Sequence, residues 1–170
     1  MNSSRPLYVA LIVIVLAVTA TLSASFLHNR PTYMSDTVTY VAGAESLAAG
    51  EGYFRGGNPI TTWPPGYSFF LSGLVRCGLD SFVAFKALNI LFATLAVAAL
   101  LALFSRFLSI WEASALALAT GAFFPWIYYT HTMLADIAFA AVVSAFLLCN
   151  RGHSPACSSC DVALSVHREP

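Results

Sequence analysis

Two aspartates stand out as residues that could do chemistry in an otherwise apolar chain. Asp36 follows the first long apolar run, and Asp136 lies in "TMLADIAFAA", near the start of the last one. A positioned carboxylate can act as a general base or bind a divalent cation. A carboxylate within a membrane segment is costly unless it has partners or water, so Asp136 marks a functional site by default.

Each aspartate also has a purely structural interpretation. Asp36 or the adjacent Ser35 can cap a helix that begins there, and the local sequence favours this reading. Asp136 lies within one turn of the predicted membrane interface, where its carboxylate can reach headgroup water. His131, in "YYTHT", is more typical of a headgroup contact than of a ligand. If both aspartates converge on one watery pocket, they could hold a divalent cation or share acid–base work.

The composition predicts a membrane protein. Hydrophobic residues make up 58% of the chain and charged residues only 9%, whereas a soluble domain carries roughly 25% charged residues. Eight basic residues balance eight acidic ones, which argues against nucleic acid as a partner. Membrane lipids are the expected surroundings.

Four apolar runs predict an all-α integral membrane protein with about four transmembrane helices. The predicted spans cover residues 7–27, 82–104, 113–129 and 133–149. About 20 helical residues cross a hydrocarbon core about 30 Å thick. The first run is longer than a secretory signal and is interpreted as a retained anchor. Lys86, near one end of the second run, is expected to snorkel.

The stretch over residues 28–65 is too long for a mere connector and is interpreted as an outer loop. Within it, "SDTVTYVAGAESLAAG" predicts an interfacial helix over residues 36–49 that ends at Gly50 and Gly52. Tyr40 and Tyr53 are expected in the aromatic belt, while Glu45 and Glu51 are expected to face water. One face of the helix would present Asp36, Tyr40, Gly43 and Leu47.

The segment "TTWPPGYSFF" ends this loop. Pro64 and Pro65 fix φ and bias Trp63 towards an extended conformation. Gly66 is expected to permit the bend, and Trp63 and Tyr67 are typical of the headgroup level. The following "GYSFFLSGLVRCG" predicts either an interfacial helix or the beginning of the next crossing.

Basic residues near the short loops favour a cytoplasmic N-terminus for a multi-pass protein of the inner (plasma) membrane. The outer loop and "YYTHT" would then share the outer face. Residues 1–149 are interpreted as transmembrane domain, and residues 150–170 as a polar tail, disordered or out of pattern. The tail weakly indicates a zinc site through His153, Cys157, Cys160 and His167.

Taken in order, these features resemble the N-terminal part of the GT-C membrane glycosyltransferases. The similarity is to the dolichyl-phosphate-mannose–protein mannosyltransferase-like family and to the lipid A aminoarabinose transferases. It is carried by "SDTVTYVAGAESLAAGEGYF", "WPPGYSFFLSGL" and "FFPWIYYTHTMLADIAFA", over roughly residues 5–149. The resemblance implies sugar transfer from a polyprenyl-phosphate-linked donor to an acceptor at the outer membrane face.

The resemblance also implies roles for particular residues. Asp36 would be the catalytic base that deprotonates the acceptor hydroxyl, and Asp36 and Asp136 would bind a divalent cation. The implied substrate-binding residues are Tyr40, Trp63, Pro64, Pro65, Tyr67 and His131.

The sequence departs from the family pattern in several places. Only Asp36 is acidic at the first motif, and Trp63 stands where the aminoarabinose transferases have a glutamate. Phosphate-binding arginines have no counterpart, and relatives carry eight or more spans. The chain is therefore expected to be a truncated, inactive fragment of a transferase.

Two other functions fit the same sequence. The main alternative is a non-catalytic membrane subunit that assembles with other membrane proteins. A small carrier or transporter is disfavoured, because its polar residues should lie near mid-membrane.

Overall fold

The computed structural model describes residues 4–28 and 35–150, which are mostly helical with one short hairpin. The predicted zinc ligands of the tail, His153, Cys157, Cys160 and His167, lie outside these residues. The elements are α1 Ser4–Ala24, α2 Ser35–Ala49, β1 Phe54–Arg55, β2 Asn58–Pro59, α3 Gly66–Arg76, α4 Phe82–Phe104, α5 Ile110–Ala122, α6 Phe124–His131 and α7 Ala135–Cys149.

Two helices are long and apolar enough to cross a membrane. They are the Pro6–Ala24 part of α1 and all of α4, and α5 with α6 makes a third if a pair bent by 50° counts as one span. The 15 residues of α7 rise only about 22 Å, which is short of a hydrocarbon core of about 30 Å. The described residues thus contain two or three candidate spans, which indicates membrane association.

The predicted third span begins and breaks at different places from those expected. It begins at Ile110 rather than at residue 113, because Ser109 and Glu112 form a capping box in which each side chain bonds the other's backbone N–H. It breaks at Phe123, which has an extended backbone, and the next helix carries a proline, Pro125, in its first turn. Proline cannot continue a helix from the preceding turn, so the run becomes two helices.

Helix α4 is the centre of the helix group and packs against α1, α5, α6 and α7. Close approach relies on small side chains, as at Gly121, where an added Cβ would overlap the side chain of Thr19. One core of the helix group lies between α1, α4 and α5 and contains Val15, Val97, Leu101, Ala113 and Ala117.

A separate unit, residues 35–76, is formed by α2, the hairpin and α3, and is called here the platform. Helix α2 ends as predicted, because Gly50 adopts φ +81° and the Glu51 N–H bonds the Ser46 carbonyl at 3.0 Å. The hairpin was not predicted. It turns at Gly56 and Gly57, which both have positive φ. Its strands have only two residues each, which is too few for the alternating apolar and polar pattern by which a strand is predicted.

Helix α3 begins directly after the double proline. Pro65 already has helical backbone angles, φ −74° and ψ −10°, in the N-cap position. Gly66 is itself helical, and an added Cβ would meet nothing within 4 Å. The expectation that Gly66 permits the bend is therefore wrong, since no left-handed conformation is required there.

The platform docks on one end of the helix group. The Thr37 hydroxyl donates to the Thr132 carbonyl in the turn between α6 and α7. A shared core joins the two units and contains Tyr40, Tyr67, Leu71, Phe85, Met133 and Ala138. The platform and the turn in "YYTHT" therefore lie together.

Candidate functional site

The phenol of Tyr40 is under the electrostatic influence of both candidate carboxylates. It is buried, with 5% of its surface exposed. Burial raises the pKa of its phenol above the usual value, and the Tyr53 phenol and the charges of Asp36 and Asp136 raise it further. Asp36 and Asp136, which come from opposite ends of the described chain, therefore act on one protonated phenol.

Local structure explains this convergence. Asp36 and Tyr40 are four residues apart on α2, so their side chains share a face. Asp136 lies in the first turn of α7, three residues after Met133, which is buried and has φ +53°. A left-handed backbone at a residue other than glycine is strained, and such strain is concentrated at functional sites. Sequence reasoning missed Met133, since nothing in its neighbours signals this conformation.

Two further aromatic side chains surround Tyr40. The Trp63 ring lies at 6.3 Å between centroids, and the Tyr67 ring stands perpendicular to it at 5.2 Å. The predicted segment "TTWPPGYSFF" thus contributes to the surroundings of Tyr40. The expectation that Tyr40 lies in an aromatic belt is wrong, because its ring packs inside the core that joins the platform to the helix group.

The Tyr67 hydroxyl is already engaged within the protein. It donates to Asn89 Oδ1 at 2.8 Å, and Asn89 Nδ2 donates to the Thr130 carbonyl at 3.2 Å. Burial raises the pKa of Tyr67 well above its usual range. These bonds attach α3 to α4 and α6. An isolated asparagine in an apolar run was the available signal for them.

An apolar groove of about 240 Å³ opens beside Tyr40. Pro64, Tyr67 and Phe70 line one wall, and Ala138 and Phe139 of α7 line the other. Pro64, which is one of the predicted substrate-binding residues, therefore lines this groove. Pro65 is exposed and caps α3.

His131 is directed elsewhere. It is buried, with 6% exposed, and its Nε2 donates to the Ser23 carbonyl at 2.8 Å. Its ring lines a different pocket of about 510 Å³, together with Phe26 and His28. The structure does not bring His131 to the Tyr40 groove. Its predicted headgroup contact is also replaced by a bond to α1.

Lys86 does not snorkel, and that expectation is wrong. Its side chain is fully buried, and Nζ donates to the His28 carbonyl at 3.1 Å. The end of α1 supplies an acceptor inside the protein, so the ammonium group need not extend to the interface. Glu45 and Glu51 are exposed, as expected.

The donor set at Tyr40 suits one kind of metal site. Within the described ranges, no group of three or more His, Cys, Asp or Glu residues is placed to hold a metal. Asp36 and Asp136 supply two carboxylates. Magnesium is commonly held by one or two carboxylates, with water and substrate phosphate completing its shell. In number and chemical type, these two carboxylates fit that arrangement.

Comparison with known proteins returned nothing similar. No protein-family model matches the sequence, no curated protein matches it, and no solved structure matches it. The function is therefore inferred from the residues and their geometry.

Proposed function

We propose that this chain carries the base and the metal-binding carboxylates of a membrane glycosyltransferase. The reaction is transfer of a sugar from a polyprenyl-phosphate-linked donor to an acceptor hydroxyl at the outer face of the inner membrane. The observation that carries the proposal is geometric: Asp36 lies one turn before Tyr40 on α2, and Tyr40 lines an apolar groove together with Ala135, the neighbour of Asp136. A polar centre next to an apolar groove suits a substrate with a charged head and a hydrocarbon tail.

In this proposal Asp36 is the general base. It is half-buried in the first turn of α2 and takes the proton of the acceptor hydroxyl. The acceptor oxygen then bonds to the anomeric carbon as the bond from that carbon to the phosphate oxygen breaks. Polyprenyl phosphate leaves with the bonding electrons. The protonated Tyr40 phenol is a hydrogen-bond donor beside this exchange.

Asp36 and Asp136 together would hold a divalent cation. When bound, such an ion neutralises charge on the donor phosphate. Asp136 is exposed at the start of α7, which leaves its carboxylate accessible to an ion and its water ligands.

The proposed membrane arrangement has four crossings, made by α1, α4, the bent α5–α6 pair and α7. Helices α2 and α3 lie along the outer surface. Large apolar side chains exposed on α1 and α7 support this arrangement, among them Val13, Phe139 and Phe146. Such side chains are stable in contact with lipid.

The test is donor binding and sugar transfer by the whole chain in lipid nanodiscs. We expect the wild-type chain to bind a polyprenyl-phosphate-linked sugar. Where it also transfers the sugar, Asp36→Asn should lose at least about a hundredfold of that transfer. Glu45→Gln is the matched control, because Glu45 is an exposed carboxylate on the same helix. Transfer that survives Asp36→Asn would contradict the base assignment. A wild-type chain that binds no donor would favour the assembly-subunit alternative.

A further inference from the structure

One hydrogen bond joins the two segments that carry the candidate carboxylates. The Thr37 hydroxyl donates to the Thr132 carbonyl. Thr37 directly follows Asp36 on α2, and Thr132 lies four residues before Asp136, in the turn between α6 and α7. Helix α2 otherwise packs chiefly against α3 and the hairpin. This bond, named here the Thr37 bond, therefore links the helix that carries one carboxylate to the turn that leads to the other.

Both partners of the Thr37 bond are shielded from water. Thr37 and Thr132 are fully buried. Thr132 is the C-cap residue of α6, and the last carbonyls of a helix have no partner within the helix. Separating a buried hydroxyl from such a carbonyl leaves both groups without a partner, which is costly. The Thr37 bond is therefore suited to holding the two segments at a fixed distance.

The chain that follows this bond transmits its position to Asp136. Met133 is fully buried and has a left-handed φ of +53°, a conformation that persists only when its surroundings hold it. Leu134, the N-cap residue of α7, makes no side-chain capping bond. The start of α7 is therefore placed by the turn before it and not by a cap of its own, and Asp136 lies in the first turn of that helix.

We propose that Thr37 is a positioning residue, whose bond to the Thr132 carbonyl sets the separation of Asp36 and Asp136 for a shared divalent cation. This inference rests on the proposed function, because it explains how the two carboxylates assigned there are held together. Magnesium requires ligand oxygens at about 2.0–2.1 Å in nearly ideal geometry. Groups that orient metal ligands without touching the metal typically change its affinity by about 10- to 100-fold.

The test measures Mn²⁺ binding by electron paramagnetic resonance, with the whole chain in phosphatidylcholine nanodiscs. Mn²⁺ is a suitable probe because it prefers the same oxygen ligands as magnesium. Thr37→Val removes the hydroxyl and keeps the shape of the side chain, and it should weaken Mn²⁺ binding by about tenfold or more. Thr37→Ser keeps the hydroxyl and should bind Mn²⁺ within about threefold of the wild type.

Thr19→Val is the matched control. Thr19 is also a fully buried threonine, and its hydroxyl donates to the Val15 carbonyl within α1 at 2.9 Å. The control variant therefore makes the same chemical change away from the two aspartates. It should change Mn²⁺ binding by less than about twofold, since it orients no metal ligand.

A double-mutant cycle with Asp136→Asn separates positioning from a general loss of structure. Once Asp136→Asn has removed one ligand, Thr37→Val should cause little further loss of Mn²⁺ binding, because no second carboxylate remains to be positioned. The same fold loss from Thr37→Val with and without Asp136→Asn would overturn the proposal. A Thr37→Val chain that does not fold, or a loss in Thr37→Ser as large as in Thr37→Val, would also overturn it.

The proposal and the proposed function fail in different ways. If the wild type binds Mn²⁺ and Thr37→Val binds it equally well, the positioning role is wrong and the two carboxylates keep their assignment. A wild-type chain that binds no Mn²⁺ would overturn the positioning role and the cation site together. The base assignment fails separately, through sugar transfer that survives Asp36→Asn.

Discussion

The platform and the helix group are held together by different kinds of contact. In the platform, polar side chains bond to specific backbone carbonyls. Ser68 donates to the Tyr40 carbonyl at 2.9 Å, and Arg76 donates to the Leu47 carbonyl at 2.8 Å. In the helix group, the core consists of small and aliphatic side chains such as Val97 and Ala117. Side-chain bonds to carbonyls also occur in the helix group, at Asn89 and His131. They lie beside the turn that contacts the platform, and the core between α1, α4 and α5 is held by close packing.

This difference matches what each unit is proposed to do. Catalysis requires groups held within a fraction of an ångström, which hydrogen bonds and ring contacts around Tyr40 can provide. A hydrocarbon tail requires only an apolar surface, such as the wall that α7 gives to the groove beside Tyr40. The division suggests where substitutions should affect chemistry and where they should affect stability or lipid binding.

The largest of the remaining effects should come from Asp136, which lies on the helix group and is proposed to bind the cation together with Asp36 of the platform. Removal of divalent cations with EDTA should weaken donor binding by at least about tenfold, as loss of a metal contact typically does. Asp136→Asn should weaken binding in magnesium by a similar factor and make it insensitive to EDTA. Titration of donor binding with and without magnesium measures both. If EDTA weakens donor binding by the same factor in Asp136→Asn as in the wild type, Asp136 is not a metal ligand and the metal site belongs to the platform alone.

A matched pair of glycine substitutions tests the packing contrast directly. An added Cβ would overlap Tyr53 at Gly43 in the platform, and Thr19 at Gly121 in the helix group. Thr19 is fully buried and cannot move aside, so Gly121→Ala should destabilise by about 1–3 kcal/mol. Tyr53 is half-buried, so its ring can rotate and Gly43→Ala should cost less. Thermal unfolding of both variants in the same detergent measures the two losses of stability. A larger loss for Gly43→Ala than for Gly121→Ala would contradict the proposed difference in packing.

The bond between Tyr67 and Asn89 joins the two units, and it should be sensitive to pH. The pKa of Tyr67 is raised in the folded protein, so its stabilising effect is complete below about pH 10, the usual tyrosine value, and is lost as pH rises beyond it. Asn89→Ala should cost about 1–3 kcal/mol, because the buried phenol loses its acceptor. Unfolding temperatures between neutral pH and pH about 11 measure the effect. Tyr67→Phe should reduce the fall in unfolding temperature between neutral and alkaline pH. An equal fall in Tyr67→Phe and in the wild type would contradict the assignment of this effect to Tyr67.

The smallest effect is expected at Gly66. Since Gly66 is helical and has open space around its Cα, Gly66→Ala should leave stability unchanged or raise it by up to about 0.5 kcal/mol. The same thermal unfolding assay applies. A clear destabilisation would restore the original expectation that the bend after Pro65 needs a glycine.

The elements that could be predicted are those with strong local signals. The span over residues 82–104 has the same limits as α4, because an apolar run follows a serine cap at Ser81. Helix α2 was predicted to within one residue from its N-terminal polar residues and Gly50. The break at Phe123 was missed although Pro125 signals it, because the surrounding aromatic residues resemble a continuous membrane-interface segment.

Composition and local pattern determined the apolar environment, the helical fold and the two aspartates worth attention. These properties depend on side-chain chemistry and on neighbours within a turn or two of helix. Only the tertiary structure decided that Tyr40 lines one groove with residues of α3 and α7, and that His131 instead bonds α1. Such pairings join residues from distant parts of the chain. They arise from how the platform docks on the helix group, which no local periodicity records.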